Sequence, residues 1–99
     1  MRFRNRRKPR KPPTNNQGEI SLLNLREGEK AVVTHTIGGY GLIRRLAEMG
    51  LTPGTEVKLL RKGPFRGPLQ IEVRGVALAL GYGVASKVFV KPLRKEAND

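Results

Sequence analysis

For covalent, acid–base or metal chemistry the chain offers one imidazole (His35), two serines (Ser21 and Ser86), eight carboxylates and no cysteine. Catalysis needs a nucleophile beside a base, a carboxylate pair, or a metal with an open position, all converging in one cleft. Ser21 and Ser86 stand in unrelated contexts and the carboxylates are scattered. No enzyme and no cofactor are expected. A metal site at His35 would need carboxylates projecting from the same strand, where the neighbours two residues away are Val33 and Ile37. The expectation is a structural histidine and no metal. Without cysteine there is no disulfide framework and no thiolate site, which is compatible with a reducing cytoplasm. Gly38-Gly39-Tyr40-Gly41 precedes a helical pattern and could present N–H groups to an anion. It matches neither the phosphate-loop nor the dinucleotide pattern, so a sharp turn is the favoured reading.

Docking is the chemistry that remains. Arginine and aromatic side chains are the usual anchors of protein interfaces. Two groups qualify: Arg44, Arg45 and Glu48 on a short helix, and Phe65-Arg66 at the tip of the loop Gly63-Pro64-Phe65-Arg66-Gly67-Pro68, with Tyr40 and Tyr82 expected to join the loop on the surface. Glu48 sits at the helix C-terminus, where the dipole disfavours negative charge, so helix stability does not explain it. For Phe65 two readings stand open, an exposed anchor or a cap on the core.

Charge gives a second binding class. Twenty Lys and Arg against eight acidic residues make +12, and seven of the cations (Arg2, Arg4, Arg6, Arg7, Lys8, Arg10 and Lys11) lie in residues 1–18, which hold no acid. Residues 19–99 therefore carry only +5. The N-terminal segment, with Pro9, Pro12 and Pro13 and few apolar side chains, is expected to be a disordered polyanion-binding or solubilising tail. Phe3 alone is too little aromatic surface for base recognition. No apolar run approaches the roughly 20 residues that span a bilayer, and the Arg-rich start lacks the apolar stretch of a secretory signal, so a cytoplasmic protein is expected.

The elements that must position these residues fit one domain. Apolar patterning begins at Ile20, and Leu22, Leu23 and Leu25 form an entry segment expected to cover one end of a barrel. Strands are predicted over residues 30–37, 55–61, 69–74, 77–80 and 87–90, with Gly75-Val76 as a turn and one helical turn within 81–86. Leu42, Ile43, Leu46 and Met49 recur at helical spacing and Gly50 stops the helix. The expected core is Val32, Val33, Leu46, Val57, Leu59, Ile71, Val73, Leu78, Leu80, Val88 and Val90. Five short strands, with one helix between the first two and glycine-rich turns, predict an all-β, SH3-like partly open barrel over residues 19–94 and a frayed end at 95–99.

The run from Gly41 to Val57, Gly-Leu-Ile-Arg-Arg-Leu-Ala-Glu-Met-Gly-Leu-Thr-Pro-Gly-Thr-Glu-Val, resembles the signature segment of FeoA, the ferrous iron transport protein A family. Residues 22–28, the loop 62–68 and the closing segments 78–80 and 85–90 extend the resemblance over about three quarters of the chain. It implies a non-catalytic cytoplasmic module that assists a membrane ferrous-iron transporter bearing a cytoplasmic GTPase domain. Similar domains also form the C-terminal part of metal-dependent repressors, but no helix-turn-helix precedes this barrel and the stand-alone form is expected. The basic tail lies outside the family pattern. The alternative reading is a nucleic-acid-associated small basic SH3-like barrel.

Overall fold

Alternation of Leu69, Ile71 and Val73 with Gln70 and Glu72 makes the most regular strand of the sheet, with the three apolar side chains buried. In the computed structural model, which describes residues 18–93, this strand is β4. The order along the chain is β1 (Ile20–Ser21), a 3-10 turn (Leu22–Asn24), β2 (Lys30–Thr36), α1 (Tyr40–Glu48), β3 (Glu56–Lys62), β4 (Leu69–Val73), β5 (Val76–Leu80), α2 (Tyr82–Ala85) and β6 (Val88–Pro92). The segment 1–17, with the basic tail, and residues 94–99 lie outside the described residues.

All six strands form one antiparallel sheet in the order β1-β6-β2-β3-β4-β5. The sixth strand is β1, whose two residues pair Ile20 with Val90 and Ser21 with Phe89. Register shifts between Val33 and His35 in β2 and between Leu59 and Arg61 in β3 bend the sheet, as bulges do. Among the described residues no ladder joins β5 back to β1, so the barrel stays partly open. One edge is blunt because β1 is two residues long; the other, β5, is Val-Ala-Leu-Ala-Leu without charge or proline.

The core lies inside the bend and is filled by Val33, Leu46, Val57, Leu59, Leu69, Ile71, Val73, Leu80, Val88 and Val90, joined by Leu22, Leu25, Ala31, Leu51 and Ala85. Two expectations shift. In β2, Ala31 and Val33 point inward and Val32 is only half-buried, because pleating sends neighbours to opposite faces. Leu78 is also half-buried and packs on the rim of the core. The entry leucines do more than cover an end, since Leu22 and Leu25 are fully enclosed. Their turn is held by Ser21, whose Oγ accepts from the Leu23 N–H at 3.1 Å.

Helix α1 packs through Leu42, Leu46 and Met49, while Ile43, expected on that stripe, is 41% exposed. Spacings of four and three residues put the first three on one side, and Ile43 falls off it by about 100°. The helix ends in a Schellman motif. Gly50 takes φ +89°, its N–H donates to Ala47 O at 2.9 Å, and the Leu51 N–H donates to Leu46 O at 2.9 Å, with both leucines buried. At the start of α1, Gly38 adopts φ +137°, which supports the reading of this glycine run as a sharp turn off β2. Between β4 and β5 the turn is Arg74-Gly75, with φ +54° and +81°, so Val76 belongs to the strand and not to the turn.

Candidate docking surfaces

His35 is placed by the β2 bulge against Phe89 of β6, ring on ring, with centroids 4.9 Å apart and planes 4° from parallel. Its Nδ1 lies 3.5 Å from Glu19 Oε1, and the Thr34 hydroxyl next to it donates to Phe89 O at 3.1 Å. Among the described residues no group of three or more His, Cys, Asp or Glu side chains comes together. The stack ties two strands. A double-mutant cycle on His35→Ala and Phe89→Ala is expected to give a coupling of about 1 kcal/mol in urea unfolding, as for other aromatic pairs. Additive losses would show that the stack contributes nothing of its own.

The helix residues singled out by sequence share the outward side of α1. Tyr40, expected beside the 63–68 loop, is instead the first residue of this helix and is 79% exposed; Ile43, Arg44, Arg45, Ala47 and Glu48 are exposed as well. Tyr40, Ile43, Arg44 and Ala47 follow the three- and four-residue spacing of one helix face. Arg44 Nε lies 3.9 Å from Glu48 Oε2, an exposed i,i+4 pair worth at most a few tenths of a kcal/mol. This pair adds little to the fold. Ile43, displaced from the core stripe, adds an aliphatic patch beside Tyr40 that periodicity alone had assigned inward.

Phe65 is 98% exposed, so it does not cap the core. Arg66 beside it places its guanidinium carbon 5.9 Å from the centre of the Tyr82 ring, a cation–π contact between the loop and α2. The two groups are not one surface. Lys30 of β2 pairs with Lys58 of β3, antiparallel, so α1 follows one end of that ladder and the 63–68 loop follows the other. The seven tail cations fall outside the described residues. No helix among the described residues is long and apolar enough to cross a membrane.

Comparison with known proteins places this arrangement. Residues 20–92 match the model of the FeoA domain. Over 70 residues the chain is 35% identical to a protein of Methanocaldococcus jannaschii named as an Fe(2+) transport protein A, covering 71% of this chain and 83% of that one. The crystal structure of an iron uptake regulatory protein, FeoA, superposes with a TM-score of 0.69 at 36% identity, over 76% of this chain and 97% of the other. Stenotrophomonas maltophilia FeoA complexed with zinc, described as a procaryotic SH3 domain protein, gives a TM-score of 0.63 at 32% identity, over 73% and 89%. The bent six-stranded sheet is thus the SH3-like fold, and the chain belongs to the FeoA family.

Proposed function

We propose that the chain is a non-catalytic accessory module of ferrous iron uptake, docking through the outward face of α1 on the cytoplasmic, GTPase-bearing part of a membrane Fe(II) transporter. Such a partner keeps the protein in the cytoplasm, at the inner face of the membrane. Family membership supplies the process. The observation that carries the docking face is Tyr40 at 79% exposure, set with Ile43 and Arg44 on the side of α1 that the core does not use. An aromatic, an aliphatic and a guanidinium on a helix anchored by its other side form the kind of rigid anchor cluster on which interface energy concentrates.

The test is titration of the full-length protein against the transporter's complete cytoplasmic region at near-physiological salt. Arg44→Glu with Arg45→Glu is expected to weaken binding at least tenfold and to leave the melting temperature within about 2 °C, since both side chains are exposed. Unchanged binding would move the docking site off α1.

A further inference from the structure

The β3–β4 hairpin closes by two hydrogen bonds, Gly63 N–H to Pro68 O and Gly67 N–H to Pro64 O, each 2.9 Å. That leaves Phe65 and Arg66 as its two loop residues, with φ +55° and +60°. Two-residue hairpin turns with positive φ at both positions are the province of Asn-Gly and Asp-Gly. A phenylalanine followed by an arginine is strained there, and strain of this kind marks positions held for function. Folding does not account for Phe65, which at 98% exposure buries almost nothing.

The hairpin's own charge has one sign, and the nearby carboxylate of Glu27 is taken up at its base, accepting from the Lys62 N–H at 2.9 Å. From Val57 to Ile71 the hairpin carries Lys58, Arg61, Lys62 and Arg66 and no carboxylate. Leu60, at the β3 bulge, is exposed as well. Arg66 is drawn back over Tyr82 and Lys62 Nζ donates to Leu23 O at 2.9 Å, so both cations are held toward the body of the domain with Phe65 out in solvent. A lone convex aromatic, backed by cations, has the shape and charge for a soft anionic surface.

We infer that the Phe65 hairpin is a membrane wedge: Phe65 enters the headgroup boundary of an anionic bilayer while Arg61 meets lipid phosphates, joined by Lys62 and Arg66 as they exchange Leu23 O and the Tyr82 ring for phosphate. This contact uses the end of the β2–β3 ladder opposite α1 and requires no transporter. It is therefore tested on bilayers alone. The chain has no tryptophan, so Phe65→Trp makes a single indole reporter. Full-length Phe65→Trp is mixed with vesicles of phosphatidylglycerol and phosphatidylcholine, and separately with phosphatidylcholine alone. A blue shift and quenching by brominated acyl chains are expected with the anionic vesicles only, with no change for Tyr40→Trp. In cosedimentation, Phe65→Ala lowers partitioning of the otherwise native chain about tenfold. Vesicle binding with the indole still in water would assign the contact to charge alone and overturn the wedge. A blue shift with single-stranded RNA or with the transporter's cytoplasmic region, and none with vesicles, would overturn it too and give the tip to that partner.

Discussion

Leu25→Ala is expected to lower the unfolding free energy by about 3 kcal/mol, a large fraction of what a domain of this size possesses. Leu25 is fully buried, as is Leu22, and the Leu25 N–H donates to Leu22 O at 3.2 Å, so the two side chains are presented together by one 3-10 turn. That turn is fixed at its other side by Ser21, whose hydroxyl lies 3.4 Å from the carbonyl oxygens of both Ala85 and Ser86. The cavity left by truncation opens within the buried cluster that Leu25 shares with Leu22. With no disulfide to compensate, urea titration should show a lower midpoint at an unchanged slope. Leu25→Met, which keeps the volume, should cost less than about 1.5 kcal/mol. A loss below about 1 kcal/mol for the alanine variant would mean that the entry segment is only draped on the core.

The second large effect has the opposite sign. Replacing the loop pair by Phe65→Asn with Arg66→Gly is expected to stabilise the protein by about 2 kcal/mol, because both residues occupy the left-handed region and the replacements adopt it with little strain. For a domain of this size that corresponds to a melting temperature higher by roughly 10 °C, read by circular dichroism. Little is lost in exchange, since Phe65 is exposed and the Arg66 contact to Tyr82 is a surface one. The same double variant should lose vesicle partitioning, so stability and membrane contact would move apart at two adjacent residues. An unchanged or lower melting temperature would show that the turn is not strained.

How far the sequence could be read depends on how each element announces itself. Helix α1 was legible because Leu42, Leu46 and Met49 repeat at its period and Gly50 can close it. The position of Ile43 was not, since an apolar residue adjacent to a stripe looks like part of it until the helix is set on the sheet. Strand β4 is legible from strict alternation, whereas β2 reads Ala-Val-Val and gives no phase, so nothing in that run tells that Val32 is the half-buried one. Strand β1 is too short to show any period. Of the docking candidates, residue types drew attention to both groups, but their separation to opposite ends of a ladder follows from register, which sequence spacing does not encode. The strain at Phe65-Arg66 was equally silent, because the turn lacks the Asn-Gly that usually announces it.

The bare β5 edge has a consequence for how the protein behaves as a colloid. Val76–Leu80 leaves the outer side of its backbone unpaired among the described residues, with no lysine, proline or bulge to refuse another strand. Repulsion from a net charge of +12 opposes the approach of two such edges. That repulsion reaches about 10 Å at 0.1 M salt and only about 3 Å at 1 M. Dispersal of the protein is therefore expected to weaken in concentrated brine, where screening lowers that barrier and the strand can pair with its own copy.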